Sequence, residues 1–247
     1  MKVLVIGSKG KMGALVKTLL EADQRVDLVY GLDQHEISSK TTFQTFSDLP
    51  KVDVIIDYSH PSLLSDILSY AKINCTPLVI ATTGYSSLQE EEILTMSQVL
   101  PIFKSSNYSF GVEVLTQVLK QISSVLEADY DIEIVEKHHH LKVDAPSGTS
   151  LHLANTINQS LLVKKEIVNG HQGKRAENEL AIHAVRGGSV IGEHTVMFLG
   201  QDETIEISHI AQSKSIFAYG SIKAAKFLVC KKAGLYKMND IFKELKQ

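Results

Sequence analysis

The sequence predicts an α/β protein with a doubly wound parallel sheet, joined to a second α+β domain that is built on a mixed sheet. Short apolar strands alternate with helical segments in the first half of the chain, as they do in parallel sheets. A glycine-rich turn lies between the first strand and the first helix. In the second half, three strand-like runs follow one another with no long helix between them, which is typical of a mixed or antiparallel sheet.

Five apolar runs predict the strands of the parallel sheet: Lys2–Ile6, Val26–Asp33, Val52–Asp57, Pro77–Ala81 and Pro101–Phe103. Because the carboxyl ends of parallel strands meet at one edge of a sheet, ligands gather there. We therefore expect the turns after the last two strands to contact a nicotinamide and its ribose. These turns contain Ala81, Thr82, Thr83 and Gly84 in one case, and Ser106, Asn107, Tyr108 and Ser109 in the other.

The glycine-rich turn has the spacing G-x-x-G-x-x-G, formed by Gly7, Gly10 and Gly13. This is a variant of the Rossmann dinucleotide fingerprint, in which missing side chains let the backbone approach a pyrophosphate at a helix N-terminus. Lys9 and Lys11 add positive charge to the turn. Glycine-rich turns between a strand and a helix also occur without a ligand, so the context supports the prediction more than the spacing does.

Asp33 ends the second strand, about 20 residues beyond the glycines, where a ribose-binding carboxylate belongs. The alternative is a solvated turn residue. A carboxylate at this position favours a free 2′-hydroxyl and repels a 2′-phosphate, and Gln34 follows where an arginine would indicate NADP. Lys9 and Lys11 could still attract a 2′-phosphate. The sequence therefore favours NADH and leaves use of NADPH open.

A strand at Asp131–Glu136 leads into a segment rich in proton-transfer groups, and a helix follows it. Histidine exchanges protons near neutral pH, and a helix N-terminus attracts anions. This combination predicts a site for an anion that undergoes acid–base chemistry. A solvated loop and an incidental metal site are the alternatives. The segment contains His138, His139, His140 and Lys142, and the helix opens with Ser147, Gly148 and Thr149.

The composition sets further limits on function. A formal net charge of -3 gives no general attraction to nucleic acid or to anionic membranes. No apolar run approaches the ~20 residues of a membrane span, and no leader precedes the first strand, so we expect a cytoplasmic protein. Cys75 and Cys230 lie among apolar residues without a C-x-x-C spacing, which predicts buried free thiols.

Five motifs occur in order and together resemble the 4-hydroxy-tetrahydrodipicolinate reductase (dihydrodipicolinate reductase) family of lysine biosynthesis. They are the glycine turn, residues 81–84, residues 107–112, the histidine–lysine–Ser-Gly-Thr segment and residues 190–195. The glycine turn is generic, but His-His-x-x-Lys-x-Asp-Ala-Pro-Ser-Gly-Thr is highly specific. The resemblance runs nearly end to end.

The resemblance implies an NAD(P)H-dependent oxidoreductase acting on CH or CH2 groups, in the diaminopimelate route. It implies a homotetramer whose substrate is a small cyclic dicarboxylate. Residues 1–108 and 215–247 would bind the dinucleotide, and residues 109–214 would bind substrate and form the oligomer. No metal is implied.

The resemblance also implies a role for each matched residue. The catalytic residues would be His138, as proton donor or acceptor, and Lys142, which also holds the substrate. Substrate would be bound by His139, Ser147, Gly148 and Thr149. The cofactor, NADH and/or NADPH, would be bound by Gly7, Lys9, Gly10, Lys11, Met12, Gly13, Asp33, Ala81, Thr82, Thr83, Gly84, Ser106, Asn107, Tyr108 and Ser109.

Three positions depart from the usual family pattern. Lys214 stands where many members have an arginine, and Ile210 replaces a frequent basic residue. The polar loop at residues 169–175 differs at both of its ends. These departures affect the contacts expected from that loop and from the hinge between the domains, but not the reaction.

Two other functions compete with the reductase. A non-catalytic NAD(P)-sensing binding protein would explain the glycine turn and Asp33, but it gives the histidine–lysine segment no role. A metal-dependent hydrolase is suggested by the three consecutive histidines. Adjacent residues of a strand point to opposite faces, however, so this run makes a poor tetrahedral ligand set.

Overall fold

The computed structural model describes residues 1–246 and divides them into two compact units. The first unit contains Met1–Ser109 together with the chain from Ser215 onward, and the second contains Phe110–Lys214. Ser109 falls in the first unit because it precedes the helix that begins at Phe110. Each unit has its own sheet and its own apolar core.

The first unit is built on a seven-stranded sheet in the order β12-β6-β5-β4-β1-β2-β3. Every neighbouring pair is parallel, so the predicted parallel sheet is confirmed. The three central strands, at residues 2–6, 54–57 and 78–80, are buried and apolar apart from the exposed Lys2 and the buried Asp57, as expected for strands covered on both faces. The strands are β1 (Lys2–Ile6), β2 (Leu28–Leu32), β3 (Thr42–Phe43), β4 (Val54–Asp57), β5 (Leu78–Ile80), β6 (Pro101–Lys104) and β12 (Gly234–Tyr236).

Five helices belong to the first unit: α1 (Lys11–Glu21), α2 (Leu64–Asn74), α3 (Ser87–Ser97), α6 (Ser215–Leu228) and α7 (Met238–Leu245). Local sequence explains where several begin. A capping box formed by Ser86 and Gln89 starts α3, and Gly10 caps α1 in an extended conformation. Gly220 lets α6 pack directly on the chain at Tyr108, because a Cβ at this position would lie 1.6 Å from the Tyr108 carbonyl oxygen.

The second unit is built on a five-stranded sheet in the order β11-β10-β7-β9-β8. The pairs β7–β9 and β8–β9 are parallel, whereas β10 pairs antiparallel with β7 and β11, so the predicted mixed sheet is confirmed. The helices α4 (Phe110–Leu126) and α5 (Gly148–Ser160) pack against each other, and their apolar residues share one core with the sheet. The strands are β7 (Asp131–His138), β8 (Glu166–Val168), β9 (Glu179–Arg186), β10 (Gly192–Leu199) and β11 (Thr204–Ala211).

The structure corrects several details of the prediction. Strand β7 continues through His138, which therefore ends a strand instead of lying in the loop. The elements β3, β8, β12 and α7 were not predicted, and the three strands have only two or three residues, too few for a periodic pattern. Within residues 1–246, no helix is long and apolar enough to cross a membrane.

The prediction that both cysteines are buried is wrong. Cys75 and Cys230 are free and exposed. Cys75 caps α2 in the left-handed conformation, with φ of 51°, so it sits where the chain leaves the helix. Of the apolar residues around it in the sequence, Ala71 of α2 and Leu78 of β5 enter the core, whereas Ile73 is 81% exposed.

Candidate active site

The backbone of the glycine turn between β1 and α1 packs closely against itself and against neighbouring backbone. Gly7 has φ of +78°, and its N–H donates to the carbonyl oxygen of Leu32 at 2.8 Å. A Cβ on Gly13 would lie 2.0 Å from the Gly7 carbonyl oxygen, and one on Gly7 would lie 2.5 Å from that of Tyr58. Side chains at these two positions would push the turn apart. The tight turn leaves the N-terminus of α1 free to face a phosphate.

Two adjoining cavities border this turn, and they share Gly10, Tyr58, Ser59 and His60. The first has a volume of about 450 Å³ and the second about 530 Å³. Together they combine a helix N-terminus, a glycine backbone and a carboxylate, which are the groups that hold a dinucleotide. Of the predicted cofactor residues, the first cavity is lined by Gly7, Gly10 and Asp33, and the second by Gly10, Lys11, Met12, Ala81, Thr82, Thr83 and Gly84.

The remaining predicted cofactor residues lie outside the linings of these two cavities. Gly13 is buried inside the turn, and the Lys9 side chain is half exposed. Ser106 is exposed, whereas Ser109 is buried and its N–H donates to Asn107 Oδ1 at 2.7 Å. The Tyr108 hydroxyl donates to the Ile80 carbonyl oxygen at 2.6 Å, so this buried side chain fastens the loop to β5.

Asp33 lies at the rim of the first cavity and is already engaged by the backbone. Its Oδ1 accepts from the N–H of His35 at 3.0 Å, and its Oδ2 accepts from the N–H of Lys9 at 3.3 Å. The second bond connects the end of β2 to the glycine turn. These contacts fix the carboxylate where a ribose would be recognised.

A buried acid at the end of β4 is a further feature that the sequence analysis did not single out. Asp57 is 1% exposed, and it accepts from the Ser59 N–H at 2.9 Å and from the Tyr85 hydroxyl at 3.2 Å. Burial raises the pKa of Asp57, although its hydrogen bonds oppose that shift. The cluster holds in place the loop that contributes Ser59 to both cavities.

In the second unit, the predicted catalytic histidine is one member of a buried charged cluster. Glu136 is fully buried on β7, and Arg186 lies on the neighbouring strand β9. The Arg186 guanidinium donates to both carboxylate oxygens, at 2.9 Å and 2.7 Å. The carboxylate also contacts His138 Nδ1 and accepts from the Ser147 N–H at 3.1 Å. Glu136 thus joins two strands to the start of α5.

The pKa values in this cluster follow from burial and pairing. Burial raises the pKa of Glu136, but hydrogen bonds from Arg186 and His138 outweigh it, so the net shift is downward. Burial is the largest influence on the pKa of His138 and lowers it, the charges of Lys142 and Arg186 lower it further, and the opposing effect of Glu136 is smaller than these together. His194 packs edge-on against His138 with ring centroids 5.2 Å apart, and burial lowers its pKa to about 4. His194 is therefore neutral at physiological pH.

The Nε2 side of His138 is kept clear by Gly192. A Cβ at position 192 would lie 3.1 Å from His138 Nε2, in a space that a side chain would crowd. With Nδ1 engaged by Glu136, Nε2 is the ring atom left for proton exchange. The sequence analysis missed the roles of Glu136, Arg186 and His194, because they come from separate strands and share no spacing.

The predicted substrate-binding residues surround the start of α5. Ser147 caps this helix, and its Oγ accepts from the Ser150 N–H at 3.2 Å and lies 3.2 Å from His194 Nε2. Gly148 is exposed with open space beside it, and Thr149 and His139 are half-buried. Lys142 pairs with both oxygens of Asp144, at 2.7 Å and 2.8 Å. The arrangement offers an anion a helix N-terminus, an ammonium group and a histidine.

The polar loop at residues 169–175 is anchored by a second charged cluster. Glu133, on β7, contacts His171 Nε2 at 2.9 Å, His183 Nε2 at 2.8 Å and Arg175 Nε at 3.0 Å. These side-chain atoms of Glu133, His171 and His183 are close enough to suit a metal ion. However, Arg175 already compensates Glu133, and the hydrogen bond that His171 donates to Glu133 raises the pKa of His171, which favours the imidazolium form. The geometry therefore describes an ion-pair network that holds the loop on the sheet.

Comparison with known proteins decides the family. The family description "Dihydrodipicolinate reductase, N-terminus" matches residues 1–108, and its C-terminal counterpart matches residues 111–242. The chain belongs to the dihydrodipicolinate reductase family. The 4-hydroxy-tetrahydrodipicolinate reductases of Clostridium novyi and Caldanaerobacter subterraneus are 42% and 45% identical to it, each with 98% of both chains covered. Members of this family are reductases that depend on a nicotinamide dinucleotide, and the glycine turn and its cavities fit that cofactor.

A solved structure supports the shared fold. Dipicolinate-bound dihydrodipicolinate reductase from Paenisporosarcina sp. TG-14 matches with a TM-score of 0.80, covering 96% of this chain and 97% of that chain. The two sequences are 22% identical. The fold that the dihydrodipicolinate reductase family implies, with one parallel nucleotide-binding sheet and one separate mixed sheet, is therefore confirmed by both kinds of comparison.

Removing Arg186 should destabilise the second unit strongly. In Arg186→Ala, the fully buried Glu136 carboxylate loses its cationic partner, and we expect the free energy of unfolding to fall by about 3–5 kcal/mol. Urea unfolding followed by circular dichroism would measure the loss. Arg25→Ala is the matched control, because this arginine forms an exposed pair with Asp23 that should contribute less than about 1 kcal/mol. Equal losses in the two variants would contradict a structural role for the buried pair.

Proposed function

We propose that this chain reduces 4-hydroxy-tetrahydrodipicolinate to tetrahydrodipicolinate with a reduced nicotinamide cofactor, in the diaminopimelate route of lysine biosynthesis. The observation that carries the proposal is the buried Glu136–Arg186–His138 cluster beside the N-terminus of α5. Such a cluster suits the protonation of a bound dianion, and the family's relatives are named for this reduction. An NAD(P)-sensing protein would give the cluster no task.

His138 is proposed as the proton donor. When bound, a reduced nicotinamide would supply the hydride that reduces the substrate ring. The 4-hydroxyl group leaves as water, and the ring carbon next to the reduced one must take a proton. Glu136 engages Nδ1 of the imidazole and fixes the orientation of the ring, so that Nε2 delivers the proton on the side cleared by Gly192. Neutral His194 packs against the ring without adding a competing charge.

The substrate's carboxylates are proposed to bind at the start of α5. Lys142 supplies a positive charge, and the N–H groups of Gly148 and Thr149 lie at the positive end of the helix dipole. Ser147 holds this end of the helix in place through its contacts with Glu136 and His194. His139 completes the proposed set of substrate-binding residues.

The cofactor is proposed to bind along the glycine turn, with its pyrophosphate at the N-terminus of α1. Gly7, Gly10 and Gly13 provide the close backbone approach, and Lys11 and Met12 line the second cavity. Asp33 would accept hydrogen bonds from a ribose 2′-hydroxyl, so NADH is proposed as at least as good a reductant as NADPH. Lys9, the turn at residues 81–84 and residues 106–109 complete the proposed cofactor site.

A homotetramer and a cytoplasmic location are part of the same proposal. The helices α4 and α5 share a core with the sheet of the second unit through Ile132 and Ile134 of β7. Glu133 and Val135 alternate with these residues, so they point to the other face of the sheet. That face is the one we propose for assembly.

Turnover of the substrate tests the proposed function directly. When purified protein is mixed with NADH and the fresh condensation product of pyruvate and aspartate semialdehyde, NADH should be oxidised. The absorbance of the reduced nicotinamide should therefore fall with time. The same measurement with NADPH gives the cofactor preference. A protein that binds NADH tightly, yet consumes none of it, would support the sensor instead.

Replacing His138 should impair proton transfer more than binding. In His138→Ala, we expect kcat to fall by about 10²–10⁴-fold with little change in KM, the usual effect of losing a positioned proton donor. Steady-state kinetics would measure it. His140→Ala is the control, since His140 is exposed and bonds only the Gly188 backbone. Near-normal turnover by His138→Ala would assign the proton to another group.

The pH profile adds a second readout for the same residue. A donor must be protonated, so kcat/KM should decline as the pH rises through the His138 pKa, which lies below its usual value of 6.5. Glu136→Gln removes the carboxylate that raises this pKa, so the declining limb should move to lower pH. If the declining limb of the pH profile stays in place, Glu136 does not influence the pKa of the proton donor.

Replacing Lys142 should weaken substrate binding selectively. In Lys142→Ala, the proposed dianion loses its ammonium partner, and kcat/KM should fall by the equivalent of about 2–5 kcal/mol. The affinity for NADH, measured by calorimetry, should stay unchanged. Lys137→Ala is the matched control, because this nearby lysine pairs with Glu193 on the sheet. Loss of NADH binding with an unchanged substrate KM would contradict the assignment.

A further inference from the structure

Glu36 lies in the loop after β2 and is fastened to the glycine turn. Its side chain is 7% exposed, and its Oε1 accepts from the Ser8 hydroxyl at 2.8 Å. Its backbone is also held, because the N–H donates to the Asp33 carbonyl oxygen at 3.0 Å and the carbonyl accepts from Gln44 at 2.7 Å. A buried carboxylate therefore stands directly behind the turn, in a fixed position.

The Glu36 carboxylate also holds the nearest cation. Lys9 Nζ lies 3.7 Å from Glu36 Oε2, while the Lys9 N–H donates to Asp33 Oδ2 at 3.3 Å. Only Glu36 contacts the Lys9 ammonium group, whereas Asp33 is held by the Lys9 backbone. Two carboxylates near one lysine leave a net negative charge at this end of the first cavity. A 2′-phosphate brought to Asp33 would find the charge of Lys9 already balanced.

Among the described residues that line this cavity there is no lysine or arginine, and Lys9 lies outside the lining. Asp33 is the only carboxylate among its lining residues, and the remaining groups that titrate are His35, His60 and Tyr58. Gln34 and His35 contact each other at 3.1 Å and bring no permanent charge. Lys11 lines the second cavity instead. Rejection or acceptance of a 2′-phosphate is therefore decided by Asp33, Glu36 and Lys9.

We propose that Glu36 is a specificity-determining residue that makes the ribose end of the cofactor site select a free 2′-hydroxyl. It does so by holding the Lys9 ammonium and by adding a second negative charge behind Asp33. The proposal rests on the proposed function for the identity of the cofactor. Discrimination between a 2′-hydroxyl and a 2′-phosphate is thus assigned to Asp33, Glu36 and Lys9 together, and not to Asp33 alone.

Binding of two cofactor fragments tests this without any turnover. Adenosine 2′,5′-bisphosphate and adenosine 5′-monophosphate differ only in the 2′-phosphate, and calorimetry at low ionic strength, where screening is weak, would give both affinities. Glu36→Gln keeps an acceptor for Ser8 and removes the charge. It should tighten the bisphosphate about tenfold, the effect of one unit charge in a partly solvated site, and leave the monophosphate nearly unchanged. Glu21→Gln, at the end of α1, controls for net charge.

Lys9→Met separates the two parts of the mechanism. In the unaltered background, it should change the ratio of the two affinities little, because Lys9 is already paired. In the Glu36→Gln background, Lys9→Met should abolish most of the increase in affinity for adenosine 2′,5′-bisphosphate. An equal effect of Lys9→Met in both backgrounds, or equal changes for both fragments in Glu36→Gln, would overturn the proposal. If Glu36→Gln fails to fold, a large loss of bisphosphate selectivity in Lys9→Met alone would overturn it as well.

These outcomes are distinct from a failure of the proposed function. Fragment binding reports on the nucleotide site whether or not any substrate is reduced. A protein without reductase activity could therefore still show the selectivity of Glu36. Conversely, an active reductase with the same fragment selectivity in Glu36→Gln as in the unaltered chain would refute only the role of Glu36.

Discussion

The Glu136 carboxylate is the group on which the second unit depends. Taking a carboxylate out of water costs several kcal/mol, and here Arg186, His138 and the Ser147 N–H compensate it together. Because these partners come from β9, β7 and α5, the compensation is available only when the three elements are in register. The same contacts orient His138 and anchor the start of α5. One interaction therefore supports both the stability of the second unit and the orientation of the proposed proton donor.

The first unit depends on a steric constraint instead. Gly7 and Gly13 let the turn after β1 fold back on itself, and Gly220 lets α6 reach the backbone at Tyr108. Backbone atoms occupy the places that side chains would fill. Close backbone packing leaves the N-terminus of α1 open to a phosphate, and the charged side chains of Asp33, Glu36 and Lys9 lie around the turn. The proposed anion sites of the two units thus differ physically: the first depends on close backbone packing, and the second depends on a buried charged cluster.

The sequence predicts features that lie within one continuous segment, and it does not predict contacts between residues that are far apart in the chain. The buried strands, the glycine turn and the start of α5 each occupy one continuous segment, so their residue patterns can be recognised in the sequence. The pairing of Glu136 with Arg186 joins residues fifty positions apart, and no spacing encodes it. Tyr108 and Asn107 also make hydrogen bonds to the end of β5 and within their own loop, and the sequence pattern does not encode these contacts. The exposure of Cys75 likewise depends on a left-handed helix end that composition does not reveal.

Two ion pairs of the second unit differ in a way that suits the separate roles proposed for them. Glu136 and Arg186 are shielded from water, so removing either partner would leave a buried charge unpaired. Lys142 and Asp144 lie in the solvated loop, with Asp144 59% exposed, and such pairs contribute less than about 1 kcal/mol. Under the proposed function, a substrate carboxylate would replace Asp144 on Lys142 at little cost, because Asp144 is readily rehydrated. The buried pair would then hold the proposed proton donor in place, and the exposed pair would leave its ammonium group available for the substrate.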